Sequence, residues 1–123
     1  MTSRSQFVVI VDDDRSVQSA LKDLMESAGL LARCFKSAEE FLEWDQRNLT
    51  GCLLLDIRMP GMSGLELQAK LIAEGSSIPV IFITAHGDAN MKMRAMKAGA
   101  VEFLTKPFDD EVLLKKVRPA LMG

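Results

Sequence analysis

The 123-residue chain has no tyrosine, one tryptophan, one histidine and two cysteines. Two thiols cannot supply a disulfide framework or a four-ligand metal site. Cys34 and Cys52 stand among leucines and phenylalanines, so they read as buried, reduced cysteines of a cytoplasmic protein. An excess of positive charge is also missing. The 15 Lys and Arg face 17 Asp and Glu, for a net charge of -2, which argues against a nucleic-acid-binding face on this chain. No apolar run approaches the ~20 residues that span a bilayer; the longest, such as Val8-Val9-Ile10-Val11 and Cys52-Leu53-Leu54-Leu55, are strand-sized. Met1 to Gln6 lacks the apolar core and cleavage site of a secretory signal. There is no Gly-x-x-x-x-Gly-Lys-Ser/Thr loop, which excludes a P-loop nucleotide binder. Without tyrosine, and with only Trp44 in a predicted edge helix, a flavin carrier lacks support.

What is present is a composition 48% hydrophobic and 26% charged, that of one compact domain over residues 1–123 without low-complexity segments. Strand-like and helix-like stretches alternate along it. The strands are Phe7 to Val11, Leu30 to Phe35, Cys52 to Leu55, Val80 to Thr84 and Val101 to Leu104. The first, third and fourth are near-continuous apolar runs, as expected for parallel strands covered on both faces. The second mixes Arg33 and Cys34 into its pattern and belongs at an edge. Val17, Leu21, Leu24, Met25 and Ala28 form one helical stripe that ends at Gly29, and Gly75 and Gly99 close two later helices in the same way. Ser37-Ala38-Glu39-Glu40 and Ser63-Gly64-Leu65-Glu66 fit reciprocal capping boxes, the second with a Met62–Leu67 staple. The last helix runs from about Asp109 to Leu121 and carries Pro119 near its end, where a broken turn costs little. Five βα units predict an α/β fold with a five-stranded, doubly wound parallel sheet.

Such folds bind ligands at the carboxyl ends of their central strands. The residues there are Asp12, Asp13 and Asp14; Asp56, Ile57 and Arg58; Thr84, Ala85 and His86; and Thr105, Lys106 and Pro107. Carboxylates gathered at one sheet edge repel by several kcal/mol per close pair at an effective dielectric of ~20, and so call for a cation. An oxygen-only donor set with open positions suits Mg²⁺, which keeps waters and accepts a phosphoryl oxygen. Lys106 and Thr84 offer the donors that a phosphoryl oxygen requires, and one Asp can act as nucleophile toward phosphorus.

Four segments carry a family resemblance: Val8 to Asp14, Leu54-Leu55-Asp56-Ile57-Arg58-Met59-Pro60-Gly61-Met62-Ser63-Gly64, Phe82 to Asp88, and Lys97 to Phe108. Together they resemble the receiver domain of bacterial two-component response regulators over almost the whole chain. The Thr84-Ala85-His86-Gly87-Asp88 stretch and the Lys106-Pro107-Phe108 ending look most like FixJ-type receivers. The resemblance implies a flavodoxin-like (βα)5 fold with strand order 2-1-3-4-5. It makes Asp56 the phosphoacceptor for a sensor histidine kinase. Asp12 and Asp13, with Asp56 and the main-chain carbonyl of Arg58, become the Mg²⁺ ligands. Thr84 and Lys106 contact the aspartyl phosphate, Phe103 is the aromatic switch, and the peptide before Pro107 is cis. Arg58 and His86 flank the phosphoryl group and modulate its hydrolysis.

The resemblance further implies a protein that assists its own phosphorylation and slow dephosphorylation rather than an enzyme. A phosphorylation-dependent homodimer would form through the fourth helix, fifth strand and fifth helix. Met91, Met93 and Met96 with Lys92, Arg94 and Lys97 give that fourth helix an adaptable, basic surface, although core packing on one face explains the same pattern. FixJ-type receivers usually precede a DNA-binding domain, so an output domain controlling transcription is expected beyond Gly123; the alternative is a stand-alone receiver in a phosphorelay or a docking role.

Simpler readings exist for each residue. One of Asp13 or Asp14 is expected to cap the first helix, a strand-ending threonine is ordinary, and a lone lysine is usually solvated. The histidine reads best as a surface-loop residue. An aspartyl phosphatase or phosphotransferase usually carries a second acid two residues beyond its nucleophile, where this chain has Arg58. The joint occurrence at four successive strand ends favours the phosphoacceptor reading.

Overall fold

The computed structural model describes residues 6–85 and 87–122. The strands are β1 (Phe7–Val11), β2 (Leu31–Phe35), β3 (Thr50–Leu55), β4 (Val80–Thr84) and β5 (Glu102–Thr105). The helices are α1 (Arg15–Ser27), α2 (Ala38–Glu43), α3 (Gly64–Ala73), α4 (Ala89–Lys97) and α5 (Asp110–Met122), with a 3-10 turn at Arg47–Leu49. All ladders are parallel and the order is β2-β1-β3-β4-β5, as expected.

The continuous apolar runs are resolved into two cores by the period-2 alternation of strand side chains. Val9, Val11, Leu53, Leu55 and Phe82 join Phe41, Leu67, Leu71 and Ala95 on one face. Val8, Ile10, Leu54, Ile81 and Ile83 join Leu21, Met25, Leu113 and Val117 on the other. Helices α2, α3 and α4 therefore cover the first face, and α1 and α5 the second. Strand β2 lies at the edge, where Arg33 rests over the rings of Phe35 and Trp44. Cys52 is buried and burial pushes its thiol up to about 12, whereas Cys34 is only half-buried; neither forms a disulfide.

Local signals are mostly kept. Gly29, Gly75 and Gly99 have φ of 80°, 77° and 103°, the left-handed geometry that ends a helix without a Cβ penalty. Ser63 and Glu66 form the complete capping box. At Ser37 only half of the box forms. Its hydroxyl accepts from Glu40 N, but the Glu40 carboxylate accepts from Lys36 N one residue earlier. Helix α5 continues through Pro119 to Met122, one residue past the expected end. In α4 only Ala95 is buried; Met91 packs partly on the core, and Met93 and Met96 are exposed. Among the described residues no helix is long and apolar enough to cross a membrane.

Candidate functional site

Strands β1 and β3 are neighbours at the centre of the sheet, so the residues that follow them emerge side by side. Asp12 N donates to the Phe35 carbonyl and Asp56 N to the Val11 carbonyl, extending the ladders by one rung and fixing both aspartates at the carboxyl edge. Asp12 is 2% and Asp56 8% exposed, while Asp13 is exposed. Carboxylate oxygens of Asp12, Asp13 and Asp56 lie within 4.8 Å of one another. Asp14, not Asp13, caps α1. Its carboxylate accepts from the Ser16 hydroxyl and from the Ser16 and Val17 N–H groups, which lowers its pKa below the usual carboxylate value. This division leaves Asp13 for the cluster.

Among the described residues, Lys106 is the cation paired with the cluster. Lys106 Nζ lies 3.1 Å from Asp12 Oδ2, with the lysine side chain 20% exposed. Lys106 N donates to the Thr84 carbonyl and so holds the β5 exit against β4. The Lys106–Pro107 peptide is cis. Asp12 Oδ1 also accepts from Asp14 N at 2.9 Å, and Gln18 Nε2 donates to the Asp12 carbonyl at 2.6 Å. Asp56 is less well compensated. Burial raises its pKa, and the Asp12 charge raises it further; Lys106, the Thr84 hydroxyl and the Ile57 N–H, at 2.8 Å from Asp56 Oδ1, act in the opposite direction. A carboxylate opposed by burial and by a neighbouring anion is what a divalent cation would relieve, and the hard oxygen donors fit Mg²⁺.

Thr84 is 1% exposed at the end of β4. Arg58 lies in the loop after β3 with its side chain exposed. Phe103 is 7% exposed and its ring packs on Phe82, with centroids 6.1 Å apart. His86 lies outside the described residues.

Sequence reasoning overlooked three supporting residues. Gly64 begins α3 directly against Asp56, where a Cβ would collide with the Asp56 carbonyl oxygen. Gly87 leaves room for the Phe103 ring, since a Cβ there would lie 2.6 Å from Phe103 Cε1 and 2.9 Å from the Thr84 methyl. Glu39 reaches from α2 to accept from Met62 N at 2.8 Å. The two glycines sit within motifs already singled out, so their position was a usable signal; Glu39 was hidden inside an apparent capping box.

A doubly wound sheet with this strand order, carrying an acidic trio, a threonine and a lysine at its carboxyl edge, defines a phosphoryl-signalling class of domain. Residues 8–118 match the response regulator receiver domain, and the chain belongs to that family. It is 50% identical over 121 residues to the response regulator protein TodT of Pseudomonas putida, covering 98% of this chain and 53% of TodT. To the transcriptional regulatory protein FixJ of Azorhizobium caulinodans it is 45% identical over 114 residues, 93% of this chain and 54% of FixJ. The solved structure of FixJ-N superposes with a TM-score of 0.87 at 40% identity, covering 98% of this chain and 97% of that one. StyR superposes with a TM-score of 0.89 at 50% identity, covering 97% of this chain and 60% of StyR. The chain thus spans about half the length of the curated relatives it matches.

Proposed function

We propose that this receiver domain accepts a phosphoryl group on Asp56 from the phosphohistidine of a sensor histidine kinase. The observation that carries the reading is the gathering of Asp12, Asp13 and Asp56 oxygens within 4.8 Å, beside Lys106. An Asp56 oxygen attacks phosphorus in line as the bond to the histidine nitrogen breaks, which gives an acyl phosphate and neutral histidine. Asp12, Asp13, Asp56 and the Arg58 carbonyl would hold Mg²⁺, which supplies positive charge for the transferring oxygens. Lys106 and the Thr84 hydroxyl donate to the phosphoryl oxygens of the product. Arg58 and His86 modulate hydrolysis, and the domain assists its own slow dephosphorylation.

The output is a population shift. Contacts of the phosphoryl group with Thr84 favour one arrangement of Thr84 and Phe103 over another, and so change the partner preference of the α4, β5 and α5 surface toward homodimerisation. By similarity to relatives named as transcriptional regulatory proteins, the domain controls a DNA-binding output domain in the cytoplasm. Incubation with acetyl phosphate and Mg²⁺ should add one phosphoryl group by intact mass, and Asp56→Asn should remain unmodified. Equal labelling of the variant would sink the assignment.

A further inference from the structure

We propose that Glu39 is a positioning residue that holds the loop after β3 in place for cation binding at the aspartate cluster. The inference rests on the phosphoacceptor reading above and deepens it. The loop runs from Ile57 to Ser63 and carries the Arg58 carbonyl. Its own chain pins both ends. Gly64 N donates to the Ile57 carbonyl at 2.9 Å, and Ser63 and Glu66 satisfy each other's backbone N–H groups. Met62, just before Ser63, is held from a different element. Glu39 Oε2 accepts from Met62 N at 2.8 Å, across 23 residues of sequence.

The approach is close and depends on the adjacent residue. Gly61 has φ 79°, and a Cβ there would lie 2.6 Å from Glu39 Oε2. The Met62 N–H, donated to the carboxylate, lowers the pKa of Glu39. A hydrogen bond between a carboxylate and a main-chain N–H is among the stronger ones, so α2 acts as a fixed post for an otherwise irregular segment. Asp12 and Asp56 are held by backbone bonds at the sheet edge, whereas the Arg58 carbonyl lies on this loop between the buried Ile57 and Met59. Loss of the post should therefore weaken the cation site without disturbing either core.

Glu39→Ala is expected to lower Mg²⁺ affinity about tenfold, the scale seen when a group that orients a metal ligand is removed. Titration calorimetry reads the affinity, and amide hydrogen exchange at Met62 should accelerate in parallel. Glu39→Gln, which keeps an acceptor oxygen, should restore most of both. At saturating Mg²⁺ the rate of phosphorylation by acetyl phosphate should return to the wild-type value, because the nucleophile is untouched. Wild-type affinity in Glu39→Ala would overturn the inference, as would faster Met62 exchange with unchanged affinity. If Glu39→Gln binds as weakly as Glu39→Ala, charge rather than position is responsible and the inference fails. A wild-type protein that binds no Mg²⁺ would overturn the phosphoacceptor reading as well, whereas normal wild-type binding and labelling beside an indifferent Glu39→Ala would overturn this inference alone.

Discussion

Asp56→Asn should make the metal-free domain more stable while abolishing its phosphorylation. The substitution keeps the size of the side chain and removes one of two buried anions. At the 4.8 Å outer limit of their separation, and an effective dielectric of ~20, the Asp12 and Asp56 charges repel by about 3.5 kcal/mol. Lys106, the Thr84 hydroxyl and the Ile57 N–H return part of that, so the net gain on removing the charge is about 1–2 kcal/mol. For a domain of this size that is a rise in melting temperature of roughly 3–8 °C. The pH dependence has a definite sign. The folded Asp56 carboxyl has a pKa above the reference 3.8, so the native state keeps a proton that the unfolded chain releases. Its penalty is absent below that reference value and grows as pH rises through the raised one. The stability gap between variant and wild type should therefore open from acid to neutral pH. Added Mg²⁺ should then close it, since binding to the native wild type contributes about 2.7 kcal/mol at a hundredfold excess over the dissociation constant. Denaturant melts in EDTA and in Mg²⁺, across that pH range, measure all three effects. A variant no more stable than wild type in EDTA at neutral pH would refute the electrostatic account of the site.

Lys106→Met is expected to act in the opposite direction in EDTA, costing about 3 kcal/mol because it leaves the Asp12 carboxylate buried without its 3.1 Å partner; an unchanged denaturation midpoint would count against the pairing. Gly87→Ala should force the Phe103 ring from its place, at about 1–3 kcal/mol of overpacking. A 19F-phenylalanine spectrum should show one of the six ring signals moved toward its solvent-exposed position, and an unshifted spectrum would show that the ring is not confined by this glycine.

The sheet was legible because both faces of β1, β3 and β4 are apolar, and no other arrangement buries such short continuous runs between amphipathic helices. Strand ends then followed from topology and put Asp12, Asp13, Asp56, Thr84 and Lys106 among the candidates, and the resemblance to receiver domains singled them out. The choice among competing side-chain partners was not legible. Glu40 could bond to Ser37 N or Lys36 N, and the sequence contains nothing that chooses between two adjacent donors; α2 turns out to begin with the earlier one satisfied. Glu39 escaped for the same reason, because its partner Met62 is brought near only by the packing of α2 against the loop. Pro119 was legible as a tolerated residue near the end of the last helix, and α5 does pass through it to Met122: one missing N–H near the last turn removes little that the packing of Leu113 and Val117 does not maintain.

The position of Lys106 links the two tasks assigned to it. One ammonium group compensates Asp12 at 3.1 Å and is also the donor proposed for the aspartyl phosphate. A phosphoryl group would bring a charge of roughly -1.5 to -2 and three acceptor oxygens next to carboxylates that already repel. Lys106 can turn to those oxygens without leaving Asp12 as an orphaned buried anion only if another cation has taken its place. On the proposed mechanism, cation occupancy and the availability of Lys106 are therefore a single equilibrium. Thr84, 1% exposed and sharing its carbonyl with Lys106 N, is the nearest backbone position to feel it. From there the packing runs through Gly87 to the Phe103 ring on β5, so a change of charge at one sheet edge has a route of close contacts to the α4 and β5 surface.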